Sequence, residues 1–135
     1  MGKPLYLDTS AVLRAVLELG TTPEVEARIH SAPALVTSRL ALVESSRALA
    51  RLRSLGQATE AQLADASRAL DEIWARCEVW ELDRGVCDLA RSVAPGTSLR
   101  TLDALHLATF QLARRRLEGL ELLTADERLR AAAGV

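Results

Sequence analysis

The sequence predicts an α/β fold: a short parallel sheet of about four strands with helices on both faces. Three observations point to it. Short apolar runs are separated by longer stretches whose apolar residues recur at helical spacing. Polar capping residues stand where the helical stretches begin, and glycine or proline stands where several of them end. Strands and helices alternate along the chain, and parallel pairing through right-handed crossovers satisfies that alternation.

The elements follow in order. Leu5-Tyr6-Leu7 is a first strand ending at the polar step Asp8-Thr9-Ser10. Ala11, Val12, Ala15, Val16 and Leu19 then mark a helix that Gly20 stops. Thr22 and Pro23 read as N-cap and first helical residue of a helix running to about His30. Ala34-Leu35-Val36-Thr37 is the second strand, and Ser38 is an N-cap for a long helix ending near Gly56. Thr59 with Gln62 forms a capping box for a helix that continues to about Arg76. Val79-Trp80-Glu81-Leu82 is strand-like, and Asp83 caps a helix carrying Val86, Leu89, Ala90 and Val93. Ala94-Pro95-Gly96-Thr97-Ser98 breaks the chain before a helix from about Thr101 to Leu117. Gly119 ends that helix, Leu120 to Thr124 is a fourth strand, and Asp126 opens a short closing helix.

The length of 135 residues predicts one domain over 1–135. Hydrophobic residues at 49% and charged ones at 26% give the balance of a globular protein. No apolar run approaches the roughly 20 residues of a membrane span. Met1-Gly2-Lys3-Pro4 leads straight into the first strand without the apolar region of a signal peptide, so the expected location is the cytoplasm. Cys77 and Cys87 lack a CxxC or a histidine pair and read as buried or idle thiols. A net charge of −1 excludes the overall basic footprint of a nonspecific nucleic-acid binder, so any such role is local.

The helix from Thr101 organises the rest. Leu102, Leu105, Ala108 and Leu112 recur at helical spacing, with Leu99, His106 and Phe110 broadening the apolar face. Asp103 lies in the first turn, beside that face, and a carboxylate leaving water needs a partner or a cation. Ligands of an open parallel sheet bind beyond the carboxyl ends of the strands. Asp8 falls at the end of the first strand and Asp126 two residues past the fourth, while Glu44 interrupts the apolar stripe of Leu40, Ala41 and Ala48. Each acid has a plainer reading. Asp8 and Asp126 could be N-caps, Thr124 with Glu127 a capping box, Asp103 a dipole-favoured acid, and Glu44 a surface partner of Arg47. Caps do not explain Glu44 inside a helix, nor the gathering of acids at one rim. Clustered carboxylates repel, and an all-oxygen set without paired histidines points to Mg²⁺ or Mn²⁺ and away from zinc. Such a site suits hydrolysis of a phosphodiester.

The matching pieces are Leu7-Asp8-Thr9-Ser10-Ala11, Glu44, Leu102-Asp103-Ala104-Leu105-His106-Leu107-Ala108 and Leu123-Thr124-Ala125-Asp126. In their order and spread over nearly the whole chain, they resemble the PIN-domain ribonucleases, specifically the VapC toxins of toxin-antitoxin pairs. The resemblance implies a PIN-like three-layer α/β/α fold and a Mg²⁺- or Mn²⁺-dependent endoribonuclease acting on RNA. Asp8, Glu44, Asp103 and Asp126 would form its acidic pocket. Asp8 and Asp103 would hold the metal most directly, and Glu44 and Asp126 would complete the site. Ser10 and Thr124 would orient carboxylates or a metal-bound water. A homodimer and a small VapB-like antitoxin that blocks the pocket are also implied. The sequence departs from the resemblance at Ala125, where many relatives carry a polar or basic residue.

Outside the pocket, Arg100 and Arg39 are candidate RNA contacts at the rim. Arg114-Arg115-Arg116 reads as a solvated, dipole-favoured helix end. His106 reads as a satisfied core residue outside the catalytic set, and Trp74 and Trp80 as core or dimer contacts. Two rivals lack their required residues. A receiver domain needs a lysine after its last strand, and the only lysine is Lys3; a haloacid-dehalogenase phosphatase needs an aspartate where Ser10 stands. A catalytically silent PIN-like or receiver-like interaction module is the remaining alternative.

Overall fold

The structure is a computed structural model and describes residues 2–18 and 22–134. Four strands, β1 (Leu5–Leu7), β2 (Leu35–Ser38), β3 (Cys77–Trp80) and β4 (Glu121–Leu123), form one sheet in the order β3-β2-β1-β4. Every pairing in it is parallel. The helices are α1 (Thr9–Leu17), α2 (Pro23–Ser31), α3 (Arg39–Ser54), α4 (Glu60–Ala75), α5 (Arg84–Ala90), α6 (Thr101–Arg116) and α7 (Glu127–Ala133).

Side chains alternate across a strand, and this sends neighbouring residues into two separate cores. Leu5, Leu7, Leu35 and Leu123 pack with Val12, Ala41, Leu70 and Trp74 under α1–α4. Tyr6, Val36 and Leu122 pack with Leu107, Phe110 and Leu129 under α6 and α7, and α5 lies against α6. The result is a three-layer α/β/α fold. Strand order turns back at β1, with β2 and β3 on one side and β4 on the other, so β1 and β4 flank the switch point where such sheets bind ligands.

Local chemistry sets the helix starts. Ser38 accepts a hydrogen bond from the Leu40 amide, and Thr59 and Gln62 form the complete reciprocal capping box. Asp83 accepts from the Val86 amide at 2.9 Å. Thr22 holds the N-cap position of α2 without a side-chain cap bond, because its backbone (φ −130°, ψ 63°) lies outside the extended region of a capping residue. Gly119, at φ +80°, makes the left-handed turn between α6 and β4. The expected helix end at Leu19 and Gly20 lies outside the described residues.

Two expectations need correction. The third strand is Cys77–Trp80 rather than Val79–Leu82, since register against β2 pairs Leu35 with Cys77 and Ser38 with Trp80. The buried residues of α6 are His106, Leu107, Ala108, Thr109, Phe110 and Ala113, so Ala108, His106 and Phe110 face inward as expected, while Leu102 is 48% exposed. A helix apolar on most sides does not reveal by periodicity which side meets the sheet. Trp74 is a core residue whose Nε1 donates to Ser45 Oγ at 3.2 Å. Trp80 packs against the second core, and the Arg116 guanidinium lies 5.3 Å above its ring. Arg114 sits 4.9 Å over Phe110, so the basic helix end is anchored on aromatic faces rather than purely solvated. Cys77 and Cys87 are free, and burial pushes the Cys77 thiol up to about 12.

Phe110 is fully buried and meets Tyr6 edge-on at 5.8 Å. Phe110→Ala is expected to destabilise the protein by about 3–5 kcal/mol, measured by urea unfolding at constant m.

Candidate active site

At the carboxyl end of the sheet, Asp8 follows β1, Asp126 follows β4, Glu44 lies on α3 and Asp103 on α6; His106 stands between Asp8 and Glu44, and Asp103 feels the charges of Asp8 and Asp126. Asp8 follows β1, where the Asp8 amide bonds to the Leu123 carbonyl at 3.0 Å and the Thr37 hydroxyl donates to the Leu7 carbonyl at 2.8 Å. It is buried, and its Oδ2 accepts from Ser10 Oγ at 2.5 Å and Thr124 Oγ1 at 2.7 Å. Asp8 stands at the N-cap position of α1, yet its side chain makes no cap bond there. Thr124 also accepts from the Asp126 amide, and Ser10 from the Ala125 amide, both at 3.0 Å. These bonds lock the β4–α7 turn onto the end of β1.

Glu44, on α3, reaches the same rim from the other core. Its Oε1 accepts from Thr9 Oγ1 and pairs with His106 Nε2, each at 2.6 Å. Burial works to raise the Glu44 carboxyl, but the hydrogen bonds from His106 and Thr9 outweigh it and hold the group below the usual glutamate range. His106 Nε2 also lies 3.6 Å from Asp8 Oδ1, so a single ring nitrogen is flanked by two of the four acids.

Asp103 and Asp126 complete the rim. Burial, and then the charges of Asp126 and Asp8, raise the Asp103 carboxyl above the ordinary aspartate range despite the charge of Arg100. Arg100 Nε is 4.0 Å from Asp103 and largely exposed, too weak a pair to cancel that repulsion. Asp126 caps α7 through Oδ1, which accepts from the Arg128 and Leu129 amides at 2.9 and 3.3 Å. The N-cap reading of Asp126 therefore holds for one oxygen, and Thr124 with Glu127 is not the capping box.

The donor set is oxygen-rich, hard and under-compensated in charge, which is the chemistry that suits Mg²⁺ or Mn²⁺. It is not a closed cage. Among the described residues, no three or more histidine, cysteine, aspartate or glutamate side chains converge tightly enough to hold a metal ion. Beside Glu44 runs an open groove of about 870 Å³ lined by Leu40, Val43, Arg47, Arg51 and Leu102, with Val43 and Leu102 exposed. Arg39 is engaged elsewhere, in a two-bond pair with Glu81 at 2.6 and 3.0 Å.

Tyr6 and Thr9 join this network with no role expected for either from the sequence, and His106 joins it in a role other than core packing. His106 is a satisfied core residue as expected, 1% exposed, but the groups that satisfy it belong to the acidic rim. The available signal was a histidine three residues after Asp103.

These features are those of a PIN fold. The family model described as the PIN domain matches residues 5–135, and the chain belongs to the PIN-domain family. Within that family it is of VapC type. It is 35% identical to Ribonuclease VapC46 of Mycobacterium tuberculosis over 96% of this chain and 89% of that protein. Among solved structures it is similar to PAE2754 from Pyrobaculum aerophilum, with TM-score 0.67, 25% identity, and coverage of 96% of this chain and 79% of that one. A toxin-antitoxin complex from Klebsiella pneumoniae shares the fold at TM-score 0.61 and 17% identity, covering 90% and 86% of the two chains.

Because the Asp103 carboxyl is raised, its ionisation opposes folding. The penalty enters as pH climbs past the ordinary aspartate range and is complete above the raised value. Asp103→Asn, assayed without divalent ions at neutral pH, is therefore expected to melt at the same or a higher temperature than the parent. A clear fall in its melting temperature would mean that the Asp103 charge is compensated in the fold.

Proposed function

We propose that this chain is a Mg²⁺- or Mn²⁺-dependent endoribonuclease, the toxin of a toxin-antitoxin pair, with Asp8, Glu44, Asp103 and Asp126 as its working groups. What supports the reading is that His106 Nε2 stands between Asp8 and Glu44 while Asp103, raised by burial and then by the charges of Asp126 and Asp8, lies within reach of both those aspartates at the sheet's switch point. Its relatives are named ribonucleases, and one structural neighbour is a toxin-antitoxin complex.

Asp8 and Asp103 would be the principal metal ligands, with Glu44 and Asp126 completing the site directly or through water. When bound, the cation would lower the pKa of water and neutralise charge building on the phosphate. The chain's own residues do the rest. Ser10 and Thr124 fix the Asp8 carboxylate through Oδ2. Thr9 and His106 fix Glu44 through Oε1. Hydrolysis places water oxygen on phosphorus as the P–O bond to the leaving nucleotide breaks, and the rim carboxylates are the bases at hand for the water's proton. The exposed Arg100 beside Asp103 is the better-placed phosphate contact, whereas Arg39 would first have to leave Glu81.

An antitoxin covering this rim, a homodimer, action in the cytoplasm and a single domain over 1–135 belong to the same proposal. Its rival is a catalytically silent interaction module, favoured by the absence, among the described residues, of a preformed metal cage.

Antitoxin-free protein is expected to cut total cellular RNA with Mn²⁺ or Mg²⁺, to stop in EDTA, and to lose at least about a hundredfold in rate in Asp8→Asn or Asp103→Asn. Neither cutting nor divalent-ion binding would leave the silent module standing.

A further inference from the structure

His106 crosses from one helical layer to the other. It belongs to α6, under which Tyr6, Leu107 and Phe110 pack, yet it bonds to Glu44 of α3, which covers the opposite face of the sheet. Its Nδ1 lies 2.9 Å from the Tyr6 hydroxyl. Its Nε2 lies 2.6 Å from Glu44 Oε1 and 3.4 Å from Thr9 Oγ1. A carboxylate only accepts, so Nε2 carries a hydrogen and donates it to Glu44. In the Nε2–H tautomer Nδ1 is an acceptor, and the Tyr6 hydroxyl is the donor that meets it. The Tyr6 hydroxyl is fully buried and has one hydrogen to give, and Nδ1 lies within its reach.

This arrangement does more than fill the core. A leucine would satisfy the packing without burying polar atoms, whereas this core places a tyrosine hydroxyl and an imidazole in series, ending on one carboxylate oxygen. Glutamate has three rotatable side-chain bonds, and Glu44 is partly exposed, so without donors it would spread over rotamers that leave the rim. With Oε1 held by Thr9 and His106, no protein hydrogen bond among the described residues reaches Oε2. His106 cannot itself trade protons with a substrate, being 1% exposed with both ring nitrogens engaged.

We propose that His106 is a positioning residue for the nuclease site, set in its Nε2–H tautomer by Tyr6 and holding the Glu44 carboxylate beside Asp8 for a divalent cation. The proposal rests on the metal-dependent reading above. Partners that orient a metal-binding carboxylate typically affect metal affinity about tenfold to a hundredfold.

The test measures Mn²⁺ affinity by calorimetry, and kcat and KM on an RNA substrate, for the parent, His106→Leu, His106→Gln and Tyr6→Phe. Nitrogen NMR of the parent reads the tautomer. His106→Leu is expected to weaken Mn²⁺ binding by about tenfold or more and to lower kcat, with KM for RNA within about twofold of the parent. His106→Gln, whose side-chain N–H extends to the place of Nε2, is expected to recover most of the loss. Tyr6→Phe keeps the ring and is expected to weaken Mn²⁺ by a smaller factor, about threefold. Parent-like Mn²⁺ affinity and kcat in folded His106→Leu, no recovery in His106→Gln, or an Nδ1–H tautomer in the parent would each overturn the proposal. Should His106→Leu fail to fold, unchanged Mn²⁺ affinity in Tyr6→Phe overturns it instead. A parent protein that neither binds Mn²⁺ nor cuts RNA sinks the nuclease reading and this proposal together; a parent that does both beside indifferent variants sinks this proposal alone.

Discussion

Polar groups taken out of water must find partners, and at the carboxyl end of this sheet that requirement ties both helical layers to the strands between them. Tyr6, Asp8, Thr9, Thr37, His106 and Thr124 are all buried there. Each is satisfied by a residue from another element: Tyr6 by His106, Thr9 by Glu44, Thr37 by the Leu7 carbonyl, and Asp8 by Thr124. Removing one partner leaves another buried group unpaired, which costs more than the bond itself contributes. The apolar cores above and below fix the sheet, but this polar seam fixes how α3 and α6 sit relative to each other at the rim.

Much of the fold was legible because it is written locally. Ser38, Thr59 with Gln62, and Asp83 cap the helices they precede, and a cap depends only on residues two or three positions away. The short apolar strands were legible too, since parallel strands covered on both faces lose the polar alternation of exposed ones. The third strand slipped by two residues because its limits come from pairing with Leu35–Ser38, which no local pattern encodes. The edge of the buried face of α6 was misplaced for a related reason. Leucine and alanine occupy most of its sides, so only the sheet decides that Leu107 and Ala113 face inward and Leu102 outward.

The acids of the site could be picked out as interruptions of apolar faces and as residues following strands. Their supporting shell could not. His106 meets Glu44 across 62 residues and Tyr6 across 100, and Arg39 meets Glu81 across 42. A lone histidine on an apolar face looks the same in sequence whether it bonds to a backbone carbonyl or to a working carboxylate. The distinction belongs to tertiary structure, and here it turns a core histidine into the link between two acids.

Cap and site were competing readings of each acid, and the geometry shows why they need not compete. A carboxylate has two oxygens. Asp126 gives Oδ1 to the amides that open α7, Asp8 gives Oδ2 to Ser10 and Thr124, and Glu44 gives Oε1 to Thr9 and His106. In each case one oxygen is fixed by the fold while the other takes no protein hydrogen bond among the described residues. Anchoring through one oxygen limits the conformational freedom that a bound cation or phosphate would otherwise have to remove. Asp103 is the exception: it has only the long pair with Arg100, and its carboxyl is raised by burial and then by the charges of Asp126 and Asp8. Three anchored acids and one strained acid make a rim whose charge the fold tolerates but does not neutralise. Any cation that binds there stabilises the folded chain by mass action, so ligand affinity and fold stability are linked at this site.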